Sequence, residues 1–361
     1  MNNMGIKNYL CLLITIAVLF GACKQKPQVL TNEESIAFAK EIQSSMKKGE
    51  GEFLDNSFEK DAFIEKMKLP NTRDAKEFGK GIVKKLNLGK QISSSLSDQD
   101  SFEFIKHYVK DGTHHVIFRL HGVKEGTLNY HDYELIKTGN KARIADVYIY
   151  LSGEMLTETM HNLFNSVFEK SNDPEQQNLT GAGDMKEIKQ LMNRGKNAEA
   201  KKMYDALPAY LKKSKAVLLF DILICSSLSN EEYAESIRNF QEKFPNEPNM
   251  SLMMIDGYFL QKEYPKMLEA INALDSQINK DPLLDYYRYL SYNLMSDDKN
   301  ARICLARLVK NMPDFQKGYQ ELIAVDLEAK NKTEADSLIN IYRKKPRFNQ
   351  EELNTIISYY E

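Results

Sequence analysis

Five short polar stretches set the architecture of the second half of this 361-residue chain: GKNAEA at 195–200, LSNEEYAES at 228–236, QKEYPKM at 261–267, DDKNARI at 297–303 and NKTEADS at 331–337. Each combines a polar turn with the start of an amphipathic helix. A small or medium residue recurs within them, at Ala200, Ser236, Met267, Ala301 and Ala335, in steps of 36, 31, 34 and 34. Between them lie KFPNEP at 243–248, NKDP at 279–282, NMPD at 311–314 and RKKPR at 343–347. Their prolines Pro248, Pro282, Pro313 and Pro346 are spaced by 34, 31 and 33. A period near 34 means one helix–turn–helix unit used repeatedly, and such a unit cannot bury its apolar side alone. Proline ends each second helix, because the residue before it is pushed out of helical geometry.

This pattern resembles the tetratricopeptide repeat (TPR). The resemblance implies about five repeats over 184–346, with a final helix over 350–360 as the cap that such arrays need. Fragments only of the family's first-helix pattern are present: the chain has no tryptophan, and Gly257 is the one glycine in a matching place. Groove residues therefore cannot be assigned by position.

N-terminal to the array, the polar segment SNDPEQQNLTGAG at 171–183 reads as a linker. Before it, residues 101–109, 114–121, 128–137 and 142–151 alternate with the period of strands. The turns at Asp111-Gly112, 122–126 and Gly139-Asn140 supply the positive-φ positions of hairpins, so an antiparallel meander is expected, followed by a helix with Leu156, Met160, Leu163 and Val167 on one stripe. Three helices should precede the sheet. The first opens at the capping box Thr31-Asn-Glu-Glu34, the second runs over about 57–68, and Asn71 caps the third. The third contains Gly79 and Gly81, so the string GKG is helical and is not a phosphate loop. Helices followed by a meander that ends in KTGNKARIADVYIY at 137–150 resemble the cone-shaped fold of ketosteroid isomerases and their non-enzymatic relatives, which implies a pocket on the sheet. The fold class expected is an α+β domain over 31–170, then an all-α tetratricopeptide-like solenoid over 184–361.

The N-terminus has the anatomy of a signal peptide: a polar start with Lys7, an apolar run at 9–20, and Gly21-Ala22 before Cys23. The run is too short to span a bilayer core, which takes about 20 helical residues. LFGAC at 19–23 resembles the lipobox of bacterial lipoproteins, with Phe20 in place of the usual leucine. The resemblance implies cleavage between Ala22 and Cys23, a diacylglycerol on the Cys23 thiol, and an acyl chain such as palmitate on the new amine. Residues 1–22 are then a leader and 23–30 a tether. Several acyl chains hold a protein on a membrane stably. Lys24 stands where aspartate would signal inner-membrane retention in enteric lipoproteins, so the outer membrane is the expected destination, with the body in the periplasm or at the surface.

With 49 basic and 51 acidic residues the chain has no field to attract nucleic acid. Of the four cysteines, Cys225 and Cys304 remain in the mature body, in apolar helical context, and are expected as buried free thiols. All six histidines, at 107, 114, 115, 121, 131 and 161, precede the linker. If Ile117 pairs with His131, then His115, Arg119, His121, His131 and Tyr133 share one sheet face, where a pocket or metal could sit. No metal-ligand spacing accompanies them, so neither metal nor cofactor is expected. Asp132, Glu134 and Asp146 are the sheet's carboxylates and read as solvated strand charges. In the fourth repeat Tyr286, Tyr289 and Asn293 form one stripe, and Tyr287, Leu290 and Leu294 another; one could line a groove. The basic clusters at 212–215 and 343–347 read as complements to helix dipoles. No catalytic signature appears. The expected function is that of a lipid-anchored, non-enzymatic module binding a protein or peptide through its repeats. The alternative is a small-ligand sensor or enzyme with a pocket in the α+β domain.

Overall fold

The computed structural model describes residues 29–97, 100–122, 127–168, 181–209, 211–213, 215–245, 247, 250–346 and 348–360. The leader-like segment, Ala22, Cys23 and most of the linker lie outside the described residues. Helix α1 (Asn32–Lys47) begins at the expected capping box: Thr31 Oγ1 accepts from the Glu34 amide at 3.1 Å and Glu34 from the Thr31 amide at 2.9 Å. Short helices α2 (Glu52–Asn56) and α3 (Lys60–Lys66) follow, then α4 (Arg73–Lys85) and α5 (Leu88–Ser95). Helix α4 contains Gly79 and Gly81, but its cap is Thr72, not Asn71, since the Thr72 hydroxyl accepts from the Ala75 amide at 3.3 Å. Helices α2 and α5 cross so closely that a Cβ on Gly89 would lie 2.1 Å from the Gly51 carbonyl oxygen.

Strands β1 (Ser101–Lys110), β2 (Thr113–Gly122), β3 (Thr127–Thr138) and β4 (Lys141–Ile149) form the expected meander, extended by the two-residue β5 (Glu154–Met155). Helix α6 (Leu156–Phe168) then crosses back against β4. The β2–β3 register differs from the expectation. Phe118, not Ile117, faces His131, because Gly122 pairs with Thr127 and four residues connect the strands, where the expected pairing needs an odd number. A one-residue slip moves every side chain to the other face. His131 and Tyr133 therefore look towards α1–α6, while His115, Arg119 and His121 look the other way.

The helix-facing side is filled. Phe102, Phe118, Tyr133 and Val147 pack with Ile42, Phe58 and Phe63 in one buried cluster, in which Phe102 and Phe118 stack at 4.7 Å. The pocket implied by the cone-fold resemblance is occupied by these side chains.

The second half is a run of antiparallel helix pairs: α7 (Gly181–Asn193) with α8 (Asn197–Asp205), α9 (Lys215–Cys225) with α10 (Asn230–Lys243), and α11 (Met250–Leu260) with α12 (Tyr264–Gln277). These are followed by α13 (Leu284–Leu294) with α14 (Asp298–Asn311), α15 (Gln316–Glu328) with α16 (Lys332–Tyr342), and a last helix α17 (Gln350–Tyr360) against α15. Ala200, Ser236, Met267, Ala301 and Ala335, the periodic residues of the sequence, are all buried. Gly257 lets α10 close on α11: a Cβ there would meet Ile237 Cγ2 at 3.1 Å. The fold is thus an α+β domain followed by an all-α solenoid.

Candidate functional site

The polar linker suggests that few contacts cross between sheet and array. The structure corrects this. Ile117, Tyr130 and Tyr150 from the outer face of the sheet share one buried cluster with Leu218, Ile237, Met253, Leu283 and Tyr287. Packing on both sides explains why α11, MSLMMIDGYFL, is apolar almost all round.

The polar contacts across this junction fall on the connections between repeats. Arg119 Nη1 donates to Asp281 Oδ1 at 2.5 Å and Tyr130 OH to Asp281 Oδ2 at 2.8 Å. Lys106 Nζ reaches the Asn279 carbonyl at 3.4 Å, and the His121 ring lies 6.0 Å from that of Phe315. Lys215 Nζ bridges the Gly153 carbonyl at 2.9 Å and Glu247 at 2.6 Å. Lys215 opens α9, so its charge serves this bridge rather than a helix C-terminus. Asn279 and Asp281 of the NKDP motif, and Phe315 just after NMPD, thus lie against the sheet.

An Asp281 network runs on into the array. Its amide donates to Asp275 Oδ1 at 2.9 Å, Arg288 joins Asp275 at 2.7 Å to Asp285 at 3.0 Å, and Arg307 holds Asp285 at 2.7 Å. Further on, Arg302 binds Asp326 at 2.6 Å between the fourth and fifth pairs.

At one end of the junction a cavity of about 280 Å³ opens between Leu128 and Leu151 of the sheet end, Leu219 and Phe220 of α9, Met253 of α11 and Tyr287 of α13. Its wall is almost wholly apolar. Of its polar side chains, Ser152 donates to the Ile149 carbonyl at 3.1 Å and Thr159 to Glu154 at 3.0 Å. Asp256 is the exception. It is exposed to the cavity yet deeply surrounded by protein, and burial holds its carboxyl above the ordinary value against the hydrogen bond that Tyr233 OH donates to Oδ2 at 3.0 Å. This is the kind of concave apolar site with few convergent polar groups in which ligands bind. Sequence reasoning missed it because its walls come from four repeat helices, the sheet end and α6.

The residues singled out from the sequence do not converge. Ser35 Oγ and His107 Nε2 both lie 2.9 Å from His114 Nδ1. His115 Nδ1 lies 3.2 Å from Asp132 Oδ1, whose other oxygen accepts from Tyr108 OH at 2.5 Å. His161 Nδ1 lies 2.9 Å from the Met67 carbonyl. Burial lowers His131 to about 3, and burial followed by the Arg119 charge lowers His121 to about 4. Glu134 pairs with Lys66 at 2.9 Å, while buried Asp146 caps α6 by accepting from the Thr157 amide at 3.2 Å and from its hydroxyl. Asp132 and Asp146 are buried and bonded, not solvated strand charges. Among the described residues no group of three or more His, Cys, Asp or Glu side chains is placed to hold a metal ion.

Tyr287 and Tyr289 of the fourth-repeat stripes are interior, while Asn293 and Leu294 at the far end of the stripes are exposed. Tyr287 joins the junction core, and Tyr289 is buried with its OH donating to Glu321 at 2.8 Å. Cys225 and Cys304 are free and buried, and burial pushes the Cys225 thiol up to about 12. Among the described residues no helix is long and apolar enough to cross a membrane.

No protein-family model and no curated protein matches the sequence. Two solved structures are similar to part of it. One is a MamA RS-1 ArsTM double mutant, at 13% identity and a TM-score of 0.38 over 49% of this chain and 94% of that one. The other is MamA 41-end from Desulfovibrio magneticus RS-1, at 15% identity and a TM-score of 0.37 over 45% and 90%. Likenesses this distant say nothing of activity or partners.

Proposed function

We propose that this chain is a lipid-anchored, non-enzymatic protein of the cell envelope that holds a protein or peptide partner on its helical array. The observation that carries the reading is the disposition of the array. Closing connections at Asn279, Asp281 and Phe315 lie against the sheet, and large apolar side chains stand exposed beside the turns within repeats: Phe259 at 45% and Leu294 at 38% of their surface. Stacked pairs present an extended surface to partners, and Phe259 and Leu294 offer apolar side chains on it. Among the described residues, His114, His115 and His131 and the carboxylates Asp132, Glu134 and Asp146 of the sheet are engaged in local hydrogen bonds and ion pairs. The anchor rests on the leader-like segment and on Cys23 with Lys24 after it, which favour the outer membrane.

A photo-crosslinking residue at position 259 or 294 should trap one discrete partner in intact cells, and one at Lys84, on α4, should trap none. Equal, diffuse labelling from all three positions would overturn the partner-binding reading. Cys23→Ala should release the mature body or strand the precursor. A processed Cys23→Ala protein that still fractionates with the outer membrane would overturn the anchor. The junction cavity favours a second reading, in which the same body also takes up a small apolar molecule.

A further inference from the structure

The repeats build one contact twice and leave it incomplete the second time. Asp221 and Asp256 are each the seventh residue of a first helix, α9 and α11. Facing Asp221 is Lys201, the residue directly after the periodic Ala200, with Nζ 3.3 Å from the carboxylate. The residue directly after the periodic Ser236 is Ile237, which occupies the corresponding place before Asp256. The first pair of positions is 20 residues apart and the second 19. Where the earlier interface has an ammonium, the later one has a sec-butyl group, and the 280 Å³ cavity lined by Ile237 and Tyr233 opens in front of the carboxyl.

We propose that this cavity binds an amphipathic amine, a hydrocarbon body bearing one ammonium group, which places its nitrogen on Asp256 as Lys201 does on Asp221. The apolar wall takes the body. Phe220, Tyr233 and Tyr287 line the same space, and aromatic faces near a desolvated ammonium add cation–π attraction. Among the described residues no basic side chain lines the cavity, so an anionic amphiphile would bring a second negative group to Asp256 with nothing to balance it. An uncharged one would leave the position of the lysine unfilled. The inference is independent of the partner proposed for the array, since the cavity lies on the sheet side of the first helices.

The test uses the purified protein with octylamine, octanol and octanoate, which share one chain and differ in charge; an alkylamine is protonated at pH 7, with a pKa near that of lysine, about 10.4. Calorimetric titration should give one site for octylamine, with affinity at least about tenfold above octanol, as expected for a charge-assisted hydrogen bond, and no binding of octanoate. Asp256→Asn should reduce octylamine to the level of octanol while leaving octanol unchanged. Ile237→Lys supplies the ammonium in cis and should abolish octylamine binding in the folded variant, at some cost in melting temperature because Ile237 is part of the buried junction core. Octanol or octanoate bound as tightly as octylamine, or an amine preference that survives Asp256→Asn, would overturn the proposal.

Discussion

Arg119, in the middle of the second strand, donates to Asp281, in the connection between the third and fourth repeats, and both side chains are almost inaccessible to water. The pair sits inside the apolar junction, with Tyr130 on the second carboxylate oxygen and Glu103 on the other side of the guanidinium. Removing one member of a buried pair strands the other, at a cost of about 3–5 kcal/mol, whereas replacing both with apolar groups costs far less. Arg119→Met should therefore lower the urea unfolding free energy by that amount, and Arg119→Met with Asp281→Leu by clearly less. Additive losses would mean that the two groups do not interact.

The same junction predicts the behaviour of the array alone. A fragment starting at residue 181 bares Leu218, Leu283 and Tyr287, which the sheet covers in the whole chain. It should be helical by circular dichroism, melt below the intact protein, and regain stability when mixed with a fragment covering 29–168. A fragment as stable as the whole chain, and indifferent to the sheet fragment, would contradict the packing.

His131 and His121 give the protein an acid-sensitive side. Both are held neutral, at about 3 and about 4, while the unfolded chain takes up a proton on each near 6.5. The unfolded state thus binds more protons over that window. The stability they contribute is complete above pH 6.5 and is lost as pH falls, with a slope of about 1.4 kcal/mol per pH unit for each group. Urea titrations between pH 7 and 5 should show the slope reduced by one proton in His131→Asn; an unchanged slope would remove His131 from the account.

Asp146 reads in the sequence as one more strand charge, yet it is a cap. Its carboxylate receives the amide and hydroxyl of Thr157 at the start of α6. Asp146→Ala should cost about 1–2 kcal/mol, the usual loss for a helix cap, and Asp146→Asn, which keeps the acceptor, less. Equal losses in the two variants would point to charge rather than hydrogen bonding.

How legible each feature was follows from its range along the chain. Ala200, Met267 and Ala301 announce the array because each must fit the crossing of two neighbouring helices, a constraint repeated at fixed spacing. The capping box at Thr31 and the hairpin at Asp111-Gly112 are equally local. The faces of the sheet were not legible, since they turn on whether three or four residues join Gly122 to the next strand. Arg119 and Asp281 look like ordinary polar residues of a strand and a loop; only their contact, 162 positions apart, makes them a junction. The cavity at Asp256 was hidden similarly, although Ile237 standing where Lys201 stands one repeat earlier was a signal open to a repeat-by-repeat alignment.

Sheet and array form one cooperative body, and amide hydrogen exchange tests that most directly. Core amides of the sheet, such as Val116 and Tyr133, and of the array, such as Ile255 and Tyr287, should open with one common free energy, and Asp281→Ala should lower both by the same amount. Sheet amides that lose protection in Asp281→Ala while the array amides keep theirs would show two independent units and contradict it.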